Sequence, residues 1–390
     1  MSVKDIDKQY IANTYARFDL ELTKGKGSLV YDSCGREYID LASGIATNTF
    51  GYSDDEWVRA VTEQAAKLQH VSNLYYTEPA ASLAKMLCER SGAKKVFFAN
   101  SGAEANECAI KVARLWGEMN KGKDYYNIIT LKNSFHGRTV TTLAATGQDV
   151  FHEHFNPLTE GFLYAEANDL SSVEKLVKEH KACAVMMELI QGEGGVMPLT
   201  KEFVLGVAKL AKRENLLLIF DEVQTGNGRS GYLYAFEHFG ITPDILTTAK
   251  GLGGGLPIGA ALLFEKTENV LTPGSHGSTF GANPVACAAA VSVIERIDDA
   301  LLLSVREKSK YIFDELSSAP GVKSVSGMGL MIGIETEGDA SKIVMECMKR
   351  GILPIKAKNK VRLLPALNIP MPLLKKAVEI LKEVVKEIRQ

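Results

Sequence analysis

Asp221 and Lys250 are the two residues of this sequence whose types and spacing best suit a specific reaction. Asp221 ends the apolar run 216–220, and Lys250 follows the strand-like run 245–248 and precedes a glycine-rich stretch. A lysine amine forms Schiff bases with aldehyde cofactors. An acid beside a pyridine nitrogen keeps that nitrogen protonated, so that the ring withdraws electrons from a substrate carbon. The pair therefore predicts pyridoxal chemistry.

Each residue alone also has an ordinary explanation. An aspartate after a strand often forms a turn or caps a helix, and a lysine before glycines is usually a solvated surface residue. The interval between Asp221 and Lys250 leaves room for a loop, a helix and the next strand. Both side chains would then lie at the carboxyl ends of neighbouring parallel strands, where ligands bind in open α/β sheets. Taken together, the two residues favour a site.

Short β-rich runs alternate with longer helical patterns from about residue 50 to residue 270, an arrangement typical of a mostly parallel sheet covered by helices on both faces. The runs are nearly continuous in apolar residues, as strands buried on both faces should be. They are Val96–Ala99, Tyr126–Leu131, Ala182–Leu189, Leu216–Phe220, Ile245–Thr248 and Ile258–Phe264. This part of the chain is predicted to be a doubly wound α/β domain.

The pattern changes after Pro284, where we expect one long Ala/Val-rich helix. Strand-like runs follow at 322–325 and 330–335, then a helix at 341–349, a strand at 361–364 and a final amphipathic helix. These elements predict a smaller α+β unit.

The chain, at 390 residues, exceeds the size at which one hydrophobic core keeps growing, so we expect two unequal domains. Residues 49–281 would form the large domain and residues 282–390 the small one. Residues 1–48 contain two turn signals between short β-like runs and are predicted to pack with the small domain.

Composition excludes several classes of partner. Hydrophobic residues make up 46% and charged residues 24% of the chain, with a formal net charge of −2 and no basic stripe for nucleic acid or polybasic membrane anchor. No stretch approaches the roughly 20 apolar residues that span a bilayer. We therefore expect small-molecule partners.

The cysteines and the N-terminus bear on location. The six cysteines are scattered without a Cys-x-x-Cys pair, which argues against disulfides and against a zinc or other metal site. The N-terminus is charged and lacks an apolar signal core. We expect reduced thiols and a cytoplasmic location.

Two further segments suit a phosphorylated ring and a carboxylate substrate. Ser101, Gly102 and Ala103 stand where a strand gives way to a helix, whose free N–H groups can bind phosphate, although a plain serine N-cap is the commoner use of such a sequence. In the loop 133–139, Phe135 could stack on a planar ring and Arg138 could bind a carboxylate. A core aromatic and a surface ion pair are the ordinary alternatives.

The sequence resembles class III pyridoxal phosphate-dependent aminotransferases over essentially the whole chain. The motifs that carry the resemblance are, in order, Ser101-Gly102-Ala103, Phe135-His136-Gly137, 191–195, 221–226, Ala249-Lys250-Gly251 and 279–284. Residues 72–76, together with Arg138, look most like the acetylornithine aminotransferase branch. The resemblance implies fold type I, with a mostly parallel seven-stranded sheet in the large domain, and pyridoxal 5'-phosphate as cofactor.

The same resemblance implies roles for individual residues. Lys250 would bond to the cofactor and then shuttle the proton, and Asp221 would pair with the pyridinium. Thr279 would reach the phosphate of the neighbouring subunit's cofactor, so the active unit should be a homodimer with shared sites. The remaining implied cofactor contacts are Ser101, Gly102 and Ala103 at the phosphate, Phe135 and Val223 on the ring faces, and Gln224 at the phenolic oxygen.

The implied reaction transfers the amine of N-acetylornithine to 2-oxoglutarate, giving N-acetylglutamate 5-semialdehyde and glutamate, a step of arginine biosynthesis. Arg138 would hold the distal carboxylate and Arg362 the α-carboxylate of glutamate. Glu193 would neutralise Arg362 when no carboxylate occupies that position. Ornithine, succinylornithine and 4-aminobutyrate remain alternative substrates. Tyr15 and Asn73 are predicted at the far end of the substrate, and Ser278 is predicted as a further substrate contact.

Other interpretations stay open to a simple test. A nucleotide-binding dehydrogenase would share the doubly wound sheet, but no Gly-x-Gly-x-x-Gly opens a helix after a first strand here. A non-catalytic homologue would not need the lysine, the acid and the arginines together. Bound pyridoxal phosphate should colour the protein yellow.

The sequence departs from the family at 51–55 and at Asn227, where methionine is more usual, and we expect neither to touch the catalytic residues.

Overall fold

The computed structural model describes residues 1–389. Its strands are β1 Leu22–Lys26, β2 Leu29–Asp32, β3 Glu37–Asp40, β4 Lys95–Ala99, β5 Asn127–Leu131, β6 Phe162–Ala165, β7 Ala182–Met187, β8 Ile190–Gln191, β9 Met197–Pro198, β10 Leu217–Asp221, β11 Ile245–Thr248, β12 Gly259–Leu263, β13 Val322–Met328, β14 Met331–Thr336, β15 Ile352–Leu353, β16 Ile355–Ala357 and β17 Lys360–Leu363. Its helices are α1 Val3–Tyr10, α2 Ser43–Ala46, α3 Asp55–Lys67, α4 Glu78–Ser91, α5 Gly102–Lys121, α6 Val140–Ala145, α7 Asp149–His152, α8 Leu170–Glu179, α9 Lys201–Arg213, α10 Phe236–Phe239, α11 Pro284–Ile294, α12 Asp299–Leu316, α13 Ala340–Lys349 and α14 Met371–Glu387.

A seven-stranded sheet in the order β4-β12-β11-β10-β7-β5-β6 forms the centre of the molecule. Only β12 runs against its neighbours, β11 and β4. The predicted mostly parallel seven-stranded sheet is therefore confirmed. Each of the six predicted runs matches a strand to within two residues at either end. The sequence analysis missed β6, an edge strand in which only Ala165 is buried, so that it lacks the continuous apolar run of the central strands.

The central strands are apolar because both of their faces are covered. Every residue of β7 and of β10 is buried. Successive side chains alternate between two cores, as strand geometry requires: Val185 and Phe220 lie in one core, whereas Met186 and Ile219 lie in the core against α5. Strands β7 and β10 also run parallel, so their carboxyl ends lie at one edge of the sheet, where polar side chains can collect.

The chain termini build a second region with its own core. Strands β13, β14, β17 and β16 form one four-stranded sheet, and β1, β2, β3 and β15 form another. In the second sheet, Ile39 of β3 pairs with Ile352 of β15, which joins the N-terminal segment to the C-terminal elements. The domain boundaries at residues 48 and 281 stay predictions.

The single long helix expected after Pro284 is wrong, because the structure has two helices, α11 and α12. The Asp298 side chain accepts a hydrogen bond from the Leu301 N–H at 2.8 Å and so caps a new helix. Arg90 donates to the carbonyls of Ile294, the last residue of α11, and Ile297, in the segment between the two helices. An arginine distant in sequence thus stabilises the break.

Within residues 1–389, no helix combines the length and the apolar character that a membrane crossing needs.

Candidate active site

Lys250 follows β11 and lines a cavity of about 450 Å³ at the carboxyl edge of the central sheet. Its backbone has a φ of +44°, a left-handed conformation that costs a non-glycine residue on the order of 1 kcal/mol or more. Strain of this kind persists only where the surrounding structure imposes it. Here it accompanies a turn that puts the lysine in the cavity wall.

The surroundings of Lys250 make its neutral amine easier to reach than that of a lysine in water. Burial lowers the pKa of Lys250, and the Arg362 guanidinium lowers it further, although the Glu193 and Asp221 carboxylates oppose the change. A neutral amine is the nucleophilic form of lysine and the form that can accept a proton. The site therefore supplies a nucleophile and base from a single side chain.

Asp221, the last residue of β10, lies at the same edge of the sheet and is only 3% exposed. Its Oδ2 accepts a hydrogen bond from Asn106 Nδ2 and lies against His136 Nδ1, both at 2.8 Å, while its Oδ1 accepts from the Val223 N–H at 3.0 Å. A carboxylate has about four acceptor positions, so one remains for a cationic N–H in the cavity. Asp221 is thus fixed in place with acceptor capacity to spare.

Asn106 and His136 were not predicted as site residues, although both hold Asp221. Asn106 also accepts from Thr247 Oγ1 at 2.6 Å, which connects helix α5 to strand β11 beside Lys250. The available signal was an asparagine among the alanines that α5 buries against the sheet, one turn after Gly102. A buried amide with no local partner suggests a long-range polar contact.

The first turn of α5 forms one end of the cavity. The N–H groups of Gly102 and Ala103 have no intrahelical acceptor and lie at the positive end of the helix dipole. A Cβ at Gly102 would lie 2.6 Å from Val223 Cγ1, so glycine allows the helix end to approach Val223, two residues after Asp221. Ser101 is the N-cap, and its hydroxyl accepts from the Glu104 N–H at 3.2 Å. The geometry of this segment is therefore compatible both with a phosphate site and with a plain serine N-cap.

Phe135, Val223 and Arg138 also line the cavity. The Arg138 guanidinium is exposed and lies over two rings, 4.3 Å from the Phe151 centroid and 5.5 Å from the Phe135 centroid. Such cation–π contacts orient the arginine without neutralising it. Arg138 consequently offers a free fork of N–H donors at the entrance of the cavity.

Arg362 is held by side chains from two other segments, the turn between β8 and β9 and the loop after β10. It belongs to β17, is 2% exposed, and donates from Nη1 to Glu193 Oε1 at 2.6 Å and to Gln224 Oε1 at 3.2 Å. Burial alone would raise the pKa of Glu193, but the Arg362 guanidinium outweighs burial and keeps that pKa below its ordinary value. The ion pair is formed, whereas its role as a switch stays a prediction.

Arg362 and Glu193 pair behind Gln224 and do not line the cavity themselves, and four other predicted site residues, Tyr15, Asn73, Ser278 and Thr279, also lie outside it in the single chain. Tyr15 is 69% exposed and borders a separate groove with Phe18 and Met348. Asn73 donates from Nδ2 to the carbonyls of Ser278 at 3.0 Å and Gly281 at 2.9 Å. Thr279 is exposed in the same turn. Their predicted contacts with substrate and cofactor would need a partner subunit or a movement of the N-terminal segment, and stay predictions.

The expectation that Asn227 does not touch the catalytic residues stays a prediction, but Asn227 does bind the residues next to Lys250. Asn227 is 3% exposed and donates from Nδ2 to Thr248 Oγ1 at 2.9 Å and to the Ala249 carbonyl at 3.1 Å. It therefore holds the two residues that precede Lys250. Sequence distance from Lys250 concealed this contact, which forms only because the loop after β10 folds over the end of β11.

Glu188 is a further carboxylate in the cavity wall that sequence reasoning missed. It follows β7, lies between the strands that lead to Asp221 and Phe135, and is 5% exposed. Burial raises the pKa of Glu188 to about 7, with the Asp221 charge adding to the rise and His136 opposing it. Its two oxygens accept from the backbone N–H groups of Phe135 at 2.8 Å and Gly192 at 3.2 Å.

Comparison with known proteins defines the class. A sequence model of the family described as aminotransferase class-III matches residues 10–385. The chain therefore belongs to the class III aminotransferases, which are pyridoxal phosphate-dependent enzymes. The resemblance identified from the sequence motifs is confirmed, as are the fold type and the cofactor.

Relatives and solved structures agree with this assignment. The chain is 49% identical to the acetylornithine aminotransferase of Haemophilus ducreyi over 99% of both chains. It resembles the structure of the ornithine aminotransferase from Toxoplasma gondii with a TM-score of 0.94 at 30% identity, covering 99% of this chain and 94% of that one. The N-acetylornithine aminotransferase structure from Stenotrophomonas maltophilia gives a TM-score of 0.85 at 34% identity, covering 98% of each chain.

The residues of the cavity fit pyridoxal phosphate. When bound, this cofactor supplies an aldehyde carbon that amines attack and a ring that accepts electrons from a substrate carbon. The free N–H groups of Gly102 and Ala103 suit its phosphate, the unused acceptor position of Asp221 suits the pyridine N–H, and the apolar Val223 and Phe135 suit the ring faces. Nζ of Lys250 can then take a proton from a substrate carbon and return it.

Proposed function

We propose that this enzyme transfers the terminal amine of N-acetylornithine to 2-oxoglutarate, forming N-acetylglutamate 5-semialdehyde and glutamate as a step of arginine biosynthesis. The observation that carries the proposal is the pairing of buried Arg362 with Glu193 at 2.6 Å, while Arg138 has no carboxylate partner among residues 1–389 and lies over aromatic rings. Close identity to acetylornithine aminotransferases over the whole chain supports the same substrate.

One arginine that is buried and paired and one that is exposed suit two substrates of different charge. Glutamate carries a carboxylate next to its reacting amine, so it can displace Glu193 and bind Arg362 through two parallel hydrogen bonds. N-acetylornithine has no charged group next to its terminal amine, so Glu193 keeps Arg362 neutralised. In both cases Arg138 is free to hold the distal carboxylate. The cavity thereby accepts both substrates without leaving the buried guanidinium unpaired.

Steady-state kinetics with a panel of amines tests the proposal. We expect N-acetylornithine to give the highest kcat/KM against 2-oxoglutarate, with ornithine, succinylornithine and 4-aminobutyrate lower by about tenfold or more, the discrimination that a few substrate contacts provide. Free ornithine adds an α-ammonium charge, and 4-aminobutyrate lacks the acetamido group. A higher kcat/KM for any of the other three amines would replace N-acetylornithine as the substrate.

We also propose that the active unit is a homodimer. Leu74, Tyr75, Tyr76 and Phe280 are exposed to 86%, 68%, 106% and 60% of the surface each residue type has in an extended reference peptide. Exposed apolar side chains grouped in this way are typical of protein interfaces. Asn73 connects their two segments through its hydrogen bonds to Ser278 and Gly281, so the group also carries Thr279. A partner seated there would receive Thr279 at its own site.

A cytoplasmic location belongs to the same proposal. All six cysteines lie within the described residues and are free thiols, which suits a reducing compartment. Fractionation of cells that make the protein at its natural level would test this, with recovery in a membrane or secreted fraction as the contradicting result.

A further inference from the structure

Glu188 has contacts that none of the roles above explains. It is a buried carboxylate in the cavity wall, yet both of its oxygens bind backbone N–H groups and neither is assigned to a substrate or to the cofactor. The two N–H groups belong to different elements. Phe135 lies in the loop after β5, and Gly192 begins the turn between β8 and β9. Glu188 thus joins the loop of the ring-stacking phenylalanine to the turn that carries Glu193.

The turn at Gly192 has little freedom to move elsewhere. A Cβ on Gly192 would lie 2.7 Å from three atoms of the Gln224 side chain, so the backbone already packs directly on Gln224. Gln224 in turn accepts from Arg362 Nη1 at 3.2 Å. The Gly192 backbone is therefore held from one side by Glu188 and bounded on the other by Gln224, and the next residue along the chain is Glu193.

We propose that Glu188 is a positioning residue that holds Glu193 against Arg362 through its hydrogen bond to the Gly192 N–H, and so sets how easily a substrate α-carboxylate displaces Glu193. This inference rests on the proposed function in one respect, because it takes the Glu193–Arg362 pair as the element that distinguishes the two substrates. It adds a residue that hydrogen-bonds to the backbone of the turn and acts on the Glu193–Arg362 pair through that turn.

The test is the affinity of the enzyme for glutarate, a dicarboxylate with the carbon skeleton of glutamate but no amine to react. In Glu188→Gln, the carboxamide can accept from only one N–H and presents its own donors to the other. With Glu193 held less firmly, we expect glutarate to bind about three- to tenfold more tightly, on the order of one hydrogen bond. Titration calorimetry of the enzyme with its cofactor measures this constant.

The direction of the change in glutarate affinity separates a positioning role for Glu188 from general disorder of the cavity. A disordered cavity binds glutarate more weakly, so weaker or unchanged binding in Glu188→Gln would overturn the proposal. Glu188→Asp keeps the charge but is too short to reach both N–H groups, and should also bind glutarate more tightly. This second variant keeps the test usable if Glu188→Gln does not fold.

Two controls complete the design. Glu222 is also a buried carboxylate that accepts from two backbone N–H groups, those of Ala235 and Phe236, but it does not line the cavity. Glu222→Gln should therefore leave glutarate affinity unchanged. In a Glu193→Ala background, Glu188→Gln should add no further change, because no carboxylate remains to position; an additional effect there would contradict the mechanism. Neither readout uses N-acetylornithine, so a different amine substrate would leave this test valid.

Discussion

At the scale of single residues, the site depends on charges that are buried but individually matched. Asp221 is held by Asn106, His136 and the Val223 N–H, and Arg362 is held by Glu193 and Gln224. Lys250 differs because its nearest charges oppose one another, and burial, the largest effect, lowers its pKa. A variant at each of these positions should therefore change a different measurable property.

Replacing Lys250 with alanine should abolish turnover and the yellow absorbance of the bound cofactor. Among the described residues, Lys250 is the only lysine that lines the cavity. Borohydride reduction followed by mass spectrometry should tag the peptide that contains Lys250 in the unaltered enzyme and tag none in the variant. Lys266→Ala, at a surface lysine paired with Asp244, is the control and should retain the absorbance. A Lys250→Ala protein with normal activity would overturn the assignment.

Replacing Glu193 with alanine should slow the N-acetylornithine half-reaction by about tenfold or more while sparing the glutamate half-reaction, since an unpaired charged hydrogen-bonding group costs ~1.5–3 kcal/mol. Single-turnover absorbance changes with each substrate measure the two rates separately. Glu166→Ala, which breaks the exposed ion pair with Lys132, should change neither. Equal losses in both half-reactions would argue against the switch.

At the scale of elements, the cavity exists because several segments end at one edge of the sheet. Strands β10 and β11 deliver Asp221 and Lys250, β7 leads into Glu188, and the first turn of α5 closes one end. The approach of α5 to Val223, two residues after Asp221, depends on the missing side chain of Gly102. The packing of a helix end against a loop thus determines the shape of the predicted phosphate site.

Gly102→Ala should weaken cofactor binding by about tenfold, within the ~1–3 kcal/mol range for an overpacked site. The new Cβ would lie 2.6 and 2.9 Å from the two Cγ atoms of Val223 and would push the helix end away. Titration of cofactor-free protein with pyridoxal phosphate measures the loss. In a Val223→Ala background, the same substitution should have little effect, and an undiminished loss there would mean that the clash is not the cause.

At the scale of the whole molecule, the exposed apolar group around Tyr76 is the feature that a single chain does not explain. Leu74→Glu should dissociate the proposed homodimer and lower activity, because it introduces a charge at a position 86% exposed in the isolated chain. Sedimentation velocity measures the change in mass. Leu303→Glu makes the same substitution at an exposed leucine of α12 and should leave the mass unchanged. A monomeric but fully active unaltered enzyme would contradict shared sites.

The sequence by itself determined the central sheet and the pair of Asp221 and Lys250. Strands buried on both faces must be continuously apolar, so β7, β10 and β11 were visible as runs, and the polar residues that end such runs must lie at one edge. The motif resemblance added Arg362 and Glu193, which the structure brings together at 2.6 Å across 169 positions of sequence.

Only the tertiary structure decided the contacts made between distant segments. Arg90 stabilises the break between α11 and α12, Asn227 holds the residues before Lys250, and Glu188 bridges two loops by their backbones. A buried polar side chain binds whatever group the fold places beside it, and sequence spacing does not reveal that partner. The physical reason is that strand patterns depend on local burial, whereas these hydrogen bonds depend on the path of the whole chain.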